Sequence, residues 1–569
     1  MSGAAPLLAE RGTQRDGRPA RTPPLPNEAA PVAGKELASP DPTLSAGSDK
    51  NIYYWEPKSL RIRTINWWHV FLAEYVHYTY ESALFLMGTA IAWHLSSHNI
   101  DFTIVWALVR DPIALQVIGV IVVIVAYLLQ MKPAVYCIDN IVFVPPTSWQ
   151  QTRADLTDIM RGQECFSEES LAFIDRMLER SGTGETTCWP PAYSKTKDGI
   201  ARPVKGDVAM ARAEAEAVVF PLVKQLLERT GIKPRDIDFL IVNCSLFTPT
   251  PSLCAMICHE FKLRQDVRTY NLGGMGCSAN IISVDLAKQL LQNDRGTRAV
   301  VISTENLSQN LYRGNDKSML LQNTLFRCGG CALLLSSRRV DSMRAKYKLL
   351  YSFRTQMCDD NAYKCVFEQE DEKGAHGVAL SKDIVSVAGQ AMKHNFVALG
   401  PYVLPLREQA KTLINRCLIH VISFMKKREF PGAANWSTPK HYTPDFTKGI
   451  DHFCIHAGGR AVIEGVQKNL NLQEHHVRAS KQTLHDWGNT SSSSIWYEVE
   501  WVERFGNVKK GDRILQIAFG SGFKCNSAVW LALRVDQAKR DVPLKPNADE
   551  IQENAQDASY RADVVDKAL

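Results

Sequence analysis

The chain has no dense, regularly spaced cysteine framework. Its 14 cysteines stand singly in apolar stretches, which excludes a small disulfide-stapled scaffold and points to reduced thiols facing the cytosol. It also lacks a strong excess of one charge: 66 Lys and Arg face 60 Asp and Glu, for a formal net charge of +6. So even a balance argues against a nucleic-acid partner, while a basic flank can still meet an anionic membrane face. The first fifty residues contain no apolar run of the kind a secretory signal needs. They are rich in Pro, Ala and Ser, and residues 1–60 are expected to form a disordered tail. A dinucleotide fingerprint is missing too, because Ser181-Gly182-Thr183-Gly184 follows no strand and lacks the full glycine spacing; no nicotinamide or flavin cofactor is indicated. Cys328-Gly329-Gly330-Cys331 has the spacing of half a zinc site, but no second pair follows, and no metal is expected. Cys254 and Cys258 read as core thiols, His475-His476 as a solvated pair, and Glu368 to Glu372 as an acidic loop.

What is present is a globular composition, 45% hydrophobic and 22% charged, in a chain long enough for about two to four domains. From Pro112 to Met131 the chain is almost unbroken in apolar character, about twenty residues or roughly 30 Å as a helix, which is a membrane span. A first span is expected between Trp67 and Leu95, where Glu74, His77 and Glu81 must lie near an interface or face the other helix. Together they form a hairpin over residues 61–132. Lys58, Arg61, Arg63 and Lys132 favour the cytosolic side for both ends, and Trp67, Trp68, Trp93 and Trp106 fall where interfacial indoles sit.

After about Pro145 helical and strand patterns alternate. Ala211 to Thr230 reads as a helix and Phe239 to Ser245 as a buried strand; Ser278 to Asn293, Ala299 to Ser303 and Ala332 to Ser336 continue the rhythm. A second series follows Tyr351, with a helix from Leu406 to Lys426, a strand at Asp451 to His456, and closing segments at Arg513 to Phe523 and Ser527 to Val535. This is an α/β pattern with buried sheets. We divide it into comparable halves at 133–350 and 351–535, followed by a polar tail at 536–569.

Three junctions between apolar and polar segments carry chemistry. Cys277, in Asn271-Leu272-Gly273-Gly274-Met275-Gly276-Cys277-Ser278-Ala279, precedes an amphipathic helix, where the helix dipole and unpaired N–H groups favour a thiolate. His456 ends a strand before Ala457-Gly458-Gly459, and Asn489 lies in Gly488-Asn489-Thr490-Ser491-Ser492-Ser493-Ser494. In α/β sheets such corners collect at the carboxyl ends of strands and can converge on one site. A thiol, an imidazole and a carboxamide suit thioester chemistry. The sulfur takes an acyl group, while His456 and Asn489 donate hydrogen bonds to a second thioester whose enolate forms as CO2 leaves. The backbone N–H groups of Cys277 and the Gly520-Ser521-Gly522 loop can hold the acyl oxyanion.

At these motifs the chain resembles the condensing enzymes of thiolase fold, and among them the membrane-bound 3-ketoacyl-CoA synthases of very-long-chain fatty acid elongation, of plant or algal type. Further matches are Val242 to Phe247, Pro249 to Leu253, Gly314 to Leu321, Leu380 to Asp383 and Phe519 to Ser527, so the likeness runs over roughly 60–535. It implies a thiolase-like fold of two similar βαβαβαββ halves behind the transmembrane hairpin. In function it implies acyl transfer to Cys277 from an acyl-CoA, decarboxylation of malonyl-CoA at His456 and Asn489, and no cofactor. The setting implied is a homodimer in the endoplasmic reticulum membrane, multi-pass, with its catalytic part in the cytosol, contact with membrane lipid, and elongase reductases and a dehydratase as partners. Assignment of the oxyanion to the amides of Cys277 and Ser521 comes from the soluble 3-ketoacyl-ACP synthase III type. Two positions depart from the pattern: Gln356-Met357-Cys358 stands where His-Lys-Gly is usual, and Asn280 where a glycine commonly follows Cys-Ser-Ala.

Three other readings compete. A type III polyketide synthase such as a chalcone synthase shares the Cys, His and Asn site but lacks the hairpin. A degradative thiolase needs a second cysteine, for which Cys525 is the candidate. A membrane-anchored acyl-binding pseudoenzyme or scaffold is the non-catalytic reading.

Overall fold

The computed structural model describes residues 132–193, 206–430 and 433–536, with isolated helical positions at Phe85, Thr89, Trp93, Gln116 and Gly119. The proposed spans and both tails thus lie outside the described residues apart from those positions. Among the described residues no helix is long and apolar enough to cross a membrane.

In chain order the first part comprises β1 (Val135–Val142), α1 (Arg153–Arg161), α2 (Glu168–Arg180), α3 (Val208–Thr230), β2 (Phe239–Asn243), α4 (Leu253–Phe261), β3 (Arg268–Leu272), α5 (Ala279–Asn293), β4 (Arg298–Thr304), α6 (Lys317–Leu325) and β5 (Gly330–Ser336). There follow β6 (Tyr347–Gln356), the hairpin of β7 (Val366–Glu370) and β8 (His376–Leu380), α7 (Ile384–Val403), α8 (Leu406–Lys427), β9 (His452–Ile455), α9 (Arg460–Asn469), α10 (Glu474–Trp487), α11 (Ser494–Phe505), β10 (Arg513–Gly520) and β11 (Lys524–Ala532). Glu368 to Glu370 are therefore strand residues in β7, where an acidic loop was expected; pairing with β8, which sets Glu368 opposite Val378, draws the run into a ladder.

Nine strands form one sheet in the order β3-β2-β4-β5-β1-β6-β11-β10-β9. It contains the same pattern twice. β2 runs parallel to β4, which is antiparallel to β5, which is antiparallel to β1; likewise β9 runs parallel to β10, which is antiparallel to β11, which is antiparallel to β6. The two sets join where β1 and β6 pair antiparallel, Tyr136 opposite Lys348.

The halves differ at one place. β3 lies outside β2, whereas among the described residues no strand lies outside β9, and α10 packs against β9 instead. The second half is thus not the full βαβαβαββ unit. Its segment buries Val477, Ser480, Leu484 and Trp487, a spacing of three and four that suits a helix and not an alternating strand.

Strands β2, β4 and β5 are buried along their whole length, as continuous apolar runs covered on both faces are. Alternate side chains go to different cores. Ile241 and Ile514 reach one shared by α5 and α11; Leu240 and Val242 pack under α3 and α4, and Leu515 and Ile517 under α7, α9 and α10. Helices α5 and α11 are therefore the two internal helices. Each is preceded by a turn of 3-10 helix, Gly276–Ser278 before α5 and Ser491–Ser493 before α11, and these turns touch.

Candidate active site

Cys277 is carried by the 3-10 turn that links β3 to α5. Gly274 and Gly276 take φ +63° and +69°, which only glycine adopts without strain. A Cβ at Gly276 would also collide with the backbone nitrogen of Ser521, so this glycine lets the loop after β10 approach Cys277. Ser245 fixes the turn by accepting a hydrogen bond from the Gly276 amide at 2.9 Å.

Around the sulfur lies a small polar network. The Ser491 hydroxyl is 3.6 Å from Cys277 Sγ and 2.9 Å from Glu305 Oε2. Glu305, at the carboxyl end of β4, also accepts from the Leu246 amide at 2.9 Å and the Cys244 thiol at 3.3 Å. Burial pushes the Cys277 thiol up to about 12, the Ser491 hydrogen bond opposes this, and the Glu305 carboxylate adds to it. The helix dipole was expected to favour a thiolate. Desolvation outweighs it, and the resting sulfur is protonated.

His456 extends β9 by one residue, its amide donating to the Ile517 carbonyl at 2.9 Å. The ring is buried, and its Nδ1 lies 2.8 Å from Ser494 Oγ, which is 2.9 Å from the Ser491 carbonyl. Nε2 is thereby left to face a ligand. Burial lowers its pKa to about 4, so the imidazole is neutral at physiological pH.

Asn489 sits in the turn between α10 and α11, anchored by its amide to the Leu325 carbonyl at 3.2 Å and by its carbonyl to the Arg327 amide at 2.9 Å. Its side-chain oxygen accepts from the Ser491 amide at 2.9 Å, which turns Nδ2 toward the Gly458 carbonyl at 3.3 Å. One Nδ2 hydrogen is used there and the second is available.

Cys277, His456 and Asn489 line one cavity of about 700 Å³, together with Glu305, Ser491 and the Gly520 to Lys524 loop that contains Ser521. Leu325, Val378, Ile384, Val385, Val462 and Phe523 supply apolar wall, while Arg180, Arg460 and Lys524 bring positive charge. Such a space suits an apolar chain carried by an anionic group. Cys525 is fully buried in the core beneath α7 and does not line this cavity, which removes the second cysteine a degradative thiolase would use. Cys328 and Cys331 are buried in different cores. Gln356, the first departure from the family pattern, lies at the cavity wall with Nε2 3.5 Å from the Gly522 carbonyl. Asn280, the second, is a structural bridge: it donates to Ser303 Oγ at 2.8 Å and accepts from Trp496 Nε1 at 2.6 Å, tying α5 to α11.

Sequence reasoning missed Glu305, Ser491 and Ser494 as site residues. The serines stand in the Gly488 to Ser494 run with no individual signal. Glu305 follows a buried strand, where its only mark is an acid at a carboxyl end.

Comparisons with known proteins agree with this geometry. Residues 127–421, just over half the chain, fit the family described as FAE1/Type III polyketide synthase-like protein, and residues 446–531 fit the 3-oxoacyl-(acyl-carrier-protein) synthase III C-terminal family. Among curated relatives, 3-ketoacyl-CoA synthase 9 of Arabidopsis thaliana is 49% identical over 408 residues, 72% of this chain and 76% of that one. The same organism's 3-ketoacyl-CoA synthase 11 is 42% identical over 518 residues, 90% and 96% of the two chains. Solved structures of like fold include a fungal type III polyketide synthase, ORAS, with TM-score 0.53 at 15% identity over 70% of this chain and 99% of that one. CsyB complexed with CoA-SH gives 0.52 at 18% over 70% and 100%. With a thiolase-like α/β fold, a thiol, an imidazole and a carboxamide lining one cavity, and relatives approaching half identity, the chain belongs to the FAE1/type III polyketide synthase-like family of condensing enzymes.

Proposed function

We propose that this chain is a 3-ketoacyl-CoA synthase, condensing malonyl-CoA with a long-chain acyl-CoA to give a 3-ketoacyl-CoA, CO2 and CoA. The observation that carries this reading is the convergence of Cys277, His456 and Asn489 on one largely apolar cavity. The relatives' names and the CoA-bound structural neighbour support it.

In the first step the Cys277 sulfur attacks the acyl-CoA carbonyl and its proton passes to His456 Nε2, then to the departing CoA sulfur. Amides of Cys277 and Ser521 hold the oxyanion. Malonyl-CoA enters next; His456 and Asn489 donate to its thioester oxygen as the carboxylate leaves as CO2. The enolate carbon attacks the acyl thioester, and the expelled Cys277 thiolate takes up a proton from solvent, the one proton the overall reaction consumes. Ser494 serves both steps. When its proton goes to the Ser491 carbonyl, its oxygen accepts from Nδ1–H and Nε2 is a base; once the imidazole has lost its Nδ1 proton and gained one at Nε2 by exchange with solvent, Ser494 donates to Nδ1 and Nε2 is a donor.

In this reading the 61–132 hairpin anchors the chain in the endoplasmic reticulum membrane with the catalytic part in the cytosol, and reductases and a dehydratase process the product. A homodimer fits the edge strand β3, where Arg268 and Thr269 are exposed. The test is incubation of membranes with malonyl-CoA and a ladder of acyl-CoA primers, with products identified by mass. A two-carbon extension lost in Cys277→Ala is expected. Extension that persists in that variant refutes the nucleophile, and cyclised multiply extended products would assign a polyketide synthase.

A further inference from the structure

Helix α8 turns an apolar stripe outward. Its inner side is held to the protein by polar groups: the fully buried Glu408 accepts from Lys448 Nζ at 2.8 Å and from the Tyr442 hydroxyl at 2.5 Å. Two turns further, Asn415 accepts from the Tyr442 amide at 2.8 Å and donates to the Lys440 carbonyl at 3.1 Å. Six of the helix's apolar residues point away from the protein, while Ile419, Ile422 and Met425 are half-buried on the inner side. Leu406 is 82% exposed, Leu413 64% and Ile414 59%, and Leu418, Val421 and Phe424 are each about half exposed. At 100° per residue these six fall within about 140° of the helix circumference. Lys411 borders the stripe on one side, with Arg407 just inside that edge, and Arg416, His420 and Lys427 border it on the other, all exposed, and Glu408 is the helix's one acid. Phe430 and Trp436, beyond the helix end, are also exposed, at 50% and 44%.

We propose that this face of α8 lies in the headgroup region of an anionic bilayer, as a second attachment of the folded part to the membrane. An apolar stripe between two cationic borders with aromatic residues at its end is the composition of an interfacial helix. The inference rests on the reading that residues 61–132 anchor the chain. Under it, β1 starts three residues after Lys132, so about 10 Å of chain separates bilayer from sheet and some face of the folded part must lie close to lipid. A second copy is the poorer occupant, because two-fold pairing of the stripe would bring its cationic borders against one another.

Cys417 lies exposed at the middle of the stripe and offers a native labelling site. The full chain, carrying Cys358→Ser, is labelled at Cys417 with an environment-sensitive fluorophore, with Cys417→Ser as background, and placed in nanodiscs. Discs of phosphatidylcholine are compared with an equimolar mixture of phosphatidylcholine and phosphatidylserine. A blue shift and quenching by lipid-borne quenchers about 5–10 Å below the headgroups are expected, stronger with phosphatidylserine and weakened by salt. Leu413→Glu with Val421→Glu should abolish the quenching at unchanged Tm, and Arg416→Glu with Lys427→Glu should abolish the preference for phosphatidylserine. No lipid quenching overturns the proposal, as does its replacement by Cys417–Cys417 cross-linking, which assigns the face to a second copy. Alkaline carbonate extraction separates the two readings. A chain that is extracted lacks the anchoring spans, and flotation of that chain with anionic but not neutral vesicles then tests α8 alone.

Discussion

Alkylation of Cys277 in the free enzyme tests the electrostatics of the site most directly. Burial raises this thiol from an ordinary 9.0 to about 12, and His456, lowered to about 4 by burial, contributes no positive charge at neutral pH. Three pH units of elevation reduce the thiolate fraction about thousandfold at any pH below the ordinary value, since each unit is tenfold. The full chain in detergent is treated with iodoacetamide from pH 5 to 9, and the modified peptide is quantified by mass; the exposed Cys358 is the internal reference for reagent. The rate at Cys277 should climb about tenfold per pH unit without a plateau. Glu305→Gln should speed alkylation, because a carboxylate that disfavours the thiolate is gone; Ser491→Ala should slow it, because the hydrogen bond that favours the thiolate is lost. A flat rate between pH 5 and 8 would mean an imidazolium–thiolate pair, and would refute the neutral resting state.

Other expectations follow from the same contacts. Ser494→Ala removes the partner of His456 Nδ1 and should slow malonyl-CoA decarboxylation by about 5- to 150-fold, the equivalent of one hydrogen bond of about 1–3 kcal/mol; Ser494→Thr should restore it, and an unchanged rate counts against any role in setting the tautomer. Asn280→Gly leaves the fully buried Trp496 indole N–H without its acceptor and should lower stability by about 1–3 kcal/mol, read as a fall in denaturant midpoint. For His456 the folded pKa lies below the unfolded value of 6.5, so the unfolded chain binds the proton first as pH falls. Stability should drop by about 3 kcal/mol between pH 6.5 and 4, and His456→Asn should lack that component in melting curves across the window.

Most of the fold was legible because its strands are unambiguous. Phe239 to Val242 and Ala299 to Ile302 are apolar runs that suit a doubly covered sheet, and Ala211 to Thr230 lies inside the helix found. The repeated half was legible as a rhythm, while the outer strand that the family's repeat unit implied for it is absent among the described residues. α10 replaces an outer strand because its apolar residues recur every three or four positions, a period noticed only when each segment is judged by itself. At the site, Cys277, His456 and Asn489 could be named because glycines and polar breaks interrupt apolar runs there. Glu305 and Ser494 could not, since an acid after a strand and one serine among four look the same whether they face a cavity or solvent.

The amino-acid order by itself determined which segments are strands and helices, where the chain turns, and which thiol follows a glycine-rich turn, because these depend on periodicity and on backbone freedom over a few residues. Only the tertiary structure decided that Cys277 rests protonated, that Asn280 joins two internal helices, and that α8 turns its apolar side outward. Desolvation and partner choice are set by groups that meet across long stretches of chain, such as Ser491 with Cys277, Trp496 with Asn280 and Tyr442 with Glu408.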